Sequence, residues 1–575
     1  MEEEFAEARE FGPYSEPEGD TDTRRPWSTW WLVTGAAAVC LLEVAAYVVG
    51  GWVAWLAARV WVASSVVFGL ACLAVVARVL VQDLRKLRLT SLALVAVTAF
   101  VAFWGVGNVE HLIVNGEAAQ EVAVGMEGLA SPDLGYTGTG FLGYPMRQYL
   151  LAAGPTVVLG RSLTALRLGY ALFFFWGVLV CWAGLRVGLG RTPQASSIAA
   201  LTVFAFFTFP YLPEFARLHE QSIIPFSLTA LATGWLLLAD EEPRPLRLVA
   251  LAWVGCMLGT SYTPGLAALG LLAVVILSKV VNALRDRHFG TALAWATVLI
   301  PPLVFTALAA TVRRDLRFDH VGGASLDGAW SALREAFVLA FLGEPRFFLS
   351  PLLLLPIAVY LLVALFFGAG LRHAATAWWV VATIATAVIL RGYASPPPNF
   401  AIHRALVVIP PLMVGMLAWL LRVGGEWRPW LPRRVLTAVV AVLVAVAVLN
   451  VRTAEQRWPR GLRDLVVADL ASETERLEVR EGSQPTVVVL TARHEIDNIA
   501  DYLRYFLPGA RLIRNAADLS GEQPGPIILY TDRGQWPNAL YRAAVRPQRE
   551  VRYDHPIFGH LFQAATVEAP LQLSP

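Results

Sequence analysis

What most constrains this chain is a succession of apolar runs, each close to the roughly 20 residues that cross a bilayer as a helix. They fall at about 30–49, 61–81, 90–107, 164–185, 194–210, 222–239, 248–261, 265–278, 290–311, 349–370, 375–390, 405–421 and 435–450, thirteen in all. Lipid offers no hydrogen-bond partners, so segments of this kind must close their backbone bonds internally. With 56% hydrophobic and 16% charged residues among 575, the expected fold is an all-α polytopic membrane protein. A small C-terminal extracytoplasmic α/β domain is expected to follow it.

Charge sets the orientation. With the amino terminus inside, the cytoplasmic connections 82–89, 186–193, 240–247, 279–288, 371–374 and 422–434 hold 15 Lys/Arg in 51 residues. The opposite connections, 50–60, 108–163, 211–221, 262–264, 312–348 and 391–404, hold 11 in 132. Basic residues concentrate on the cytoplasmic side of membrane proteins, so this asymmetry predicts that residues 108–163 and everything after Val451 lie on the outer face. The acidic, polar start of the chain lacks the pattern of a cleaved signal peptide and reads as a disordered cytoplasmic tail, residues 1–28. Residues 29–89 supply two accessory spans, 90–450 the main transmembrane core, and 451–575 the outer domain.

Net charge is only +2, which gives no basic surface for nucleic acid. The four cysteines, Cys40, Cys72, Cys181 and Cys256, lie inside apolar runs without the spacing of a disulfide framework or zinc site. No bound metal or cofactor is expected. Glu43 is an acid inside the first span, where a charge is costly, and its expected role is to pair helices.

The long outer segment carries Glu110, His111, Glu117, Glu121 and Glu127 directly after a hydrophobic run. Within it, Ala118, Val122, Gly125 and Leu129 recur at helical spacing and predict an amphipathic helix along the membrane surface. A Gly-rich turn region follows, then a second amphipathic segment, Met146 to Leu159. The short spans 248–261 and 265–278 meet at Thr260–Pro264 and read either as broken or tilted helices lining a cavity or as ordinary crossings whose ends lie a few residues further out. In the tail, TVVVL (486–490), ARLIR (510–514), PIILYTD (526–532) and LFQAATV (561–567) predict strands, with a helix near 496–506. No phosphate-binding Gly loop or nucleophile elbow occurs there, so positioning is expected of this part rather than independent chemistry.

Residues able to do chemistry gather on outer connections: Glu110, Glu117 and Glu121 in the first, Arg217 and His219 in YLPEFARLHEQ, Tyr262 at the short hairpin tip, His403 and Arg404 in PPPNFAIHRA. Carboxylates with imidazoles and guanidinium groups at one membrane face suit a reaction that takes a proton from an acceptor hydroxyl and stabilises a phosphate leaving group. A lipid-linked sugar phosphate presents that chemistry. Glu117 is the expected base or acceptor-orienting group. Arg217 and Arg404 are the expected phosphate clamps, since a guanidinium binds phosphate oxygens bidentately. The alternatives are a solvated acid on an interfacial helix and arginines contacting lipid headgroups.

The segments NGEAAQEVAVGMEGL and GYPMRQYLLAAGPTVVLGRSLTALRLGYAL resemble the first outer loop and following span of GT-C membrane glycosyltransferases. The group in question holds the dolichyl-phosphate-mannose-protein mannosyltransferases and aminoarabinose transferases. FARLHEQSIIPFSLTAL, LGTSYTPGLAAL and NFAIHRALVVIPPL are similar to further landmarks of that group, in the same order. The resemblance covers about 90–422 and implies transfer of a sugar from a polyprenyl-phosphate donor, as co-substrate, to a protein or lipid acceptor at the outer face. Glu117 matches the acidic position of the group's first loop. Gly116 stands where the group usually has Asp, and Glu110 or Glu121 are the substitutes this departure suggests. Two alternatives share these outer residues: a transporter or flippase of lipid-linked sugars, and a non-catalytic membrane assembly protein.

Overall fold

The computed structural model describes residues 27–103, 106, 116–130, 152–189, 195–207, 223–261, 263–312, 411, 414, 415, 486–490, 505, 511–513, 527–532, 549–554 and 561–567. Its helices are α1 (Trp27–Val49), α2 (Gly51–Arg85), α3 (Leu89–Phe103), α4 (Gly116–Ala130), α5 (Gly154–Leu159), α6 (Leu163–Gly188), α7 (Ala195–Phe207), α8 (Ile223–Glu241), α9 (Pro245–Gly259), α10 (Thr263–Arg285) and α11 (Phe289–Val312). Among the described residues six helices, α1, α2, α6, α8, α10 and α11, are long and apolar enough to cross a membrane. The spans expected at 349–370, 375–390, 405–421 and 435–450, and the outer connection 312–348, lie almost wholly outside the described residues.

Two expected connections are largely helix instead, and one of them is residues 279–285, which continue α10. Residues 51–60 belong to α2, a continuous helix of 35 residues. At about 1.5 Å per residue it is roughly 52 Å long, well beyond the ~30 Å hydrocarbon thickness. The break between α1 and α2 is confined to Gly50 and Gly51, whose φ values of 66° and 48° are open to glycine. Within segment 51–60 the Arg59 guanidinium stacks 3.8 Å over the Trp55 ring on the same helix.

The core is built on α6 and α8. Gly177 faces Ser227 and Gly184 faces Gly234, so both helices run in the same direction with their backbones in contact. A Cβ on Gly184 would stand 2.4 Å from the Gly234 carbonyl oxygen, and one on Gly234 would stand 2.4 Å from that of Val180. Small residues at a repeat of seven permit this approach, the usual means of joining helices where lipid supplies no hydrophobic drive. Trp182 and Trp235 fill the space beside the seam and are fully buried.

Because α6 and α8 are parallel, their C-terminal ends share one end of the bundle. Asp83 at the end of α2 accepts from Arg186 at the end of α6, at 3.1 Å from both Nε and Nη2. It also accepts from Ser91 Oγ of α3 at 2.6 Å and Ser196 Oγ of α7 at 2.5 Å. Lys279 of α10 pairs with Asp240 of α8. The four connections richest in arginine and lysine among the described residues are thereby held at one end. The α4–α5 region and the α9–α10 tip belong to the other.

In the tail, five strands form one sheet of order β2-β1-β3-β5-β4, with β1 (Thr486–Leu490), β2 (Arg511–Ile513), β3 (Ile527–Asp532), β4 (Arg549–Asp554) and β5 (Leu561–Val567). β1 is parallel to β2 and β3, while β5 is antiparallel to β3 and β4. Four strands fall where apolar and β-branched runs predicted them. The fifth, β4, is REVRYD on the sheet edge, where charges deter pairing with other chains and hide the strand from an apolar search. Of the helix expected near 496–506 only Tyr505 is described, and it is helical.

Candidate functional site

The bundle end opposite the basic connections is assembled from α4, α5 and the start of α6. α4 occupies the expected residues, but its setting differs from a helix lying on the membrane surface. Val122, Ala123 and Val124 are 0%, 0% and 2% exposed, and Gly125 is buried as well. Successive helical residues are about 100° apart, so four buried in a row enclose most of the circumference. α4 is inserted into the protein, with Met126 and Leu129 packed on the core.

The backbone turns sharply between α5 and α6 at Gly160, where φ is 80°. Ser162 then caps α6, its Oγ accepting from the Ala165 amide at 3.1 Å. Onto this turn docks Tyr505, more than 340 residues along the chain. Its hydroxyl donates to the Ser162 carbonyl at 3.0 Å and accepts from the Ser162 amide at 3.2 Å. A phenol has one proton, already given to Ser162, so the contact with Thr156 Oγ1 at 3.0 Å is a bond that Thr156 donates. Arg161 Nη1 donates to the Tyr505 carbonyl.

Tyr505 is fully buried, and that burial pushes its phenol above the ordinary tyrosine value against the opposing bonds from Thr156 and Ser162 and the charge of Arg161. Burial likewise pulls the Arg161 guanidinium below the ordinary arginine range, while Tyr505 and Glu127 draw it back in part. Glu127 belongs to α4. Arg161 therefore stands between the acidic helix and the C-terminal segment and feels both.

Of the sequence-predicted site residues, Glu117 and Glu121 lie in the first two turns of α4. Their side chains, and Glu110, Arg217, His219, Tyr262, His403 and Arg404 entirely, lie outside the described residues. Ser261, whose Oγ donates to the Leu258 carbonyl at 2.9 Å, and Thr263 flank the Tyr262 position at the α9–α10 tip. Among the described residues α9 lines a cavity together with α1, α2 and α11, away from the Thr260–Pro264 tip. Sequence reasoning did not select Arg161, Arg167, Thr156 or Tyr505. Arg167 is completely buried on the second turn of α6, and the only signal for it was a cation just inside an apolar run. Nothing local distinguishes Tyr505, whose role arises from a contact distant in sequence. Among the described residues no three His, Cys, Asp or Glu side chains gather as metal ligands would.

No family model matches the chain. No curated relative matches it either. Solved structures do. The chain is similar to ArnT from Cupriavidus metallidurans in the apo state, with a TM-score of 0.54 and 14% identity, covering 82% of this chain and 97% of that one. The same enzyme bound to undecaprenyl phosphate gives a TM-score of 0.52 at the same identity and coverage. The fold is thus that of an aminoarabinose transferase, the group whose landmarks the sequence resembles.

Proposed function

We propose that this chain, having the ArnT fold, is a membrane glycosyltransferase that uses a polyprenyl-phosphate-linked sugar as donor and a protein or lipid hydroxyl as acceptor. The observation that carries the reading is likeness of fold to a transferase solved with a polyprenyl phosphate bound, together with landmarks of the same group in the same order. The clustering of basic connections at one bundle end supports a cytoplasmic assignment for that end and an extracytoplasmic one for α4, Tyr505 and the tail sheet.

In the proposed reaction the acceptor oxygen attacks the anomeric carbon as the bond from that carbon to the phosphate oxygen breaks. The leaving polyprenyl phosphate keeps the electron pair, and the acceptor proton passes to Glu117. A single displacement of this kind inverts the anomeric centre. Arg217 and Arg404 neutralise the phosphate charge, and His219, Tyr262 and His403 line the donor site. Glu110 and Glu121 are the other acids able to serve as base. The chain needs no bound metal in this scheme.

The test is reconstitution of the purified protein with radiolabelled polyprenyl-phosphate sugars and candidate acceptors. Product should form with the native chain and fall about 10²–10⁴-fold in Glu117→Gln, the usual contribution of a general base. Equal turnover would remove Glu117 from the site. Donor crossing the bilayer without product would replace the transferase reading with a flippase.

A further inference from the structure

Between Arg59 and Arg78 helix α2 carries no charged residue. At helical rise the two cations stand about 28 Å apart along the axis, close to the ~30 Å hydrocarbon thickness. Arg59 lies over the Trp55 ring, which packs edge-on against Trp52, and aromatic residues of this kind mark a membrane boundary. Arg78 is thereby placed at the opposite boundary, at the bundle end that holds the basic connections. α2 continues for seven residues past it to Arg85, so Arg78 is not at a frayed helix end. It is exposed on the outside of the bundle, as are Ala74, Ala77 and Val81 on the same face. Among the described residues Arg78 has no hydrogen-bond or ion-pair partner.

The turn from α8 into α9 brings further cations to this boundary. α2 packs on α9 through Trp253, which donates to Ser64 Oγ at 3.1 Å and stacks on Phe68 at 4.1 Å. Arg244 Nε meets Glu242 Oε1 at 2.5 Å and Arg247 Nη2 meets Oε2 at 3.6 Å, so two guanidiniums share one carboxylate. Arg247 Nη1 is given to the Leu238 and Glu242 carbonyls at 2.6 and 3.1 Å. Burial pulls the Arg247 guanidinium below the ordinary arginine range; Glu242 draws it back, the like charges of Arg244 and Arg78 lower it again, and Glu241 opposes them. Three guanidiniums therefore act on one another with two carboxylates among them, an excess of positive charge. Arg247 is committed to carbonyls, which leaves Arg78 and Arg244, its side chain 53% exposed, to meet an anion.

We propose that Arg78 and Arg244 hold the phosphate of an anionic phospholipid in the cytoplasmic leaflet, which bridges the accessory helix α2 to the α8–α9 turn. A guanidinium fork matches phosphate oxygens bidentately and is weakly hydrated, as this boundary requires. Exposed Leu70, Leu73 and Val81 on α2, with Leu246 and Val249 on α9, give the acyl chains apolar surface on both sides of the headgroup. The occupant is a lipid because these neighbours face hydrocarbon. It is anionic because a zwitterionic headgroup brings an ammonium group into a cluster where cations already outnumber acids. The site lies at the bundle end opposite the proposed transfer site and does not depend on that reaction.

The test uses the full-length protein in phosphatidylcholine nanodiscs containing a small fraction of photoreactive phosphatidylglycerol, with a diazirine near the carbonyl end of one acyl chain. Labelling should saturate and map to residues 70–81 of α2 or to the first two turns of α9. It should be competed by unlabelled phosphatidylglycerol but not by added phosphatidylcholine or inorganic phosphate. Arg78→Gln should weaken labelling at least about tenfold, the worth of a charge-assisted bond, and Arg244→Gln should weaken it as well. Arg78 has no protein partner to strand, so its variant should keep the native helical circular dichroism. Arg59→Gln, at the opposite boundary, should leave labelling unchanged. Labelling unaffected by Arg78→Gln or by Arg244→Gln, lost equally in Arg59→Gln, or competed equally by phosphatidylcholine overturns the proposal. Competition by inorganic phosphate also overturns it and makes the pair a site for a free anion.

Discussion

Arg186 and Asp83 stand 103 positions apart and meet at 3.1 Å, with the Asp83 side chain 1% exposed. Around this pair the ends of α2, α3, α6 and α7 are joined by Ser91 and Ser196, whose hydroxyls both donate to Asp83 and lie 2.7 Å from each other. A buried ion pair is weak evidence of net stability when compared with an apolar pair, but breaking it from one side strands a charge. Asp83→Ala should therefore cost about 3–5 kcal/mol, and the double variant Asp83→Ala/Arg186→Met should recover much of that. Thermal unfolding in detergent, compared across the two singles and the double, measures it. A double variant no more stable than the singles would show that the pair does not act as a unit.

The helix seam predicts a sharp difference between glycines. Gly184→Ala places a methyl group 2.4 Å from a backbone oxygen that cannot move without shifting α8. It should lower stability by about 1–3 kcal/mol, as overpacking does. At Gly69 an added Cβ meets nothing within 4 Å, so Gly69→Ala should leave the unfolding midpoint unchanged or slightly raised.

Docking of Tyr505 should be visible as local protection. Tyr505→Phe removes the hydroxyl that satisfies Ser162 and Thr156, at a cost of about 1–3 kcal/mol, and amide exchange over residues 154–165 should quicken. Burial raises the Tyr505 phenol above its value in an unfolded chain, so the neutral form is the one that docks. Its stabilisation is full below the ordinary tyrosine value near pH 10 and is lost as pH rises through the higher folded value. Protection factors in this segment, which correct for the faster base-catalysed intrinsic exchange at higher pH, should be the same at pH 7 and pH 9 in the native chain. A protection factor that falls between those two pH values would contradict the assignment.

Donor recognition should separate from chemistry. Arg404→Ala and Arg217→Ala should each raise KM for the polyprenyl-phosphate sugar by roughly tenfold to a hundredfold, the worth of a charge-assisted bond. Unchanged KM in either variant takes that arginine out of the donor site.

Orientation can be read with single cysteines. Arg287→Cys, placed in a cysteine-free background, should react with a membrane-impermeant maleimide only in inverted vesicles. A cysteine in the 312–348 segment should react only in right-side-out ones. The reverse pattern would turn the proposed site to the cytoplasm and remove access to an outer acceptor.

Periodicity and charge by themselves determined that this chain is a bundle of membrane helices, where α6, α8, α10 and α11 lie, and that basic residues bias one end. Length of apolar run and helical spacing are local properties, readable without knowing any neighbour. They also located α4, since its apolar repeat is a property of one helix. Packing alone decided that α4 is enclosed rather than lying on the surface, because enclosure depends on what surrounds a helix and not on its own pattern. The same holds for the joining of Asp83 to Arg186, for the close seam of Gly184 and Gly234, and for Tyr505 on the Ser162 turn. Each is a contact between distant segments whose energy exists only once the fold has brought them within a few ångströms, and no local signal in the chain encodes that distance.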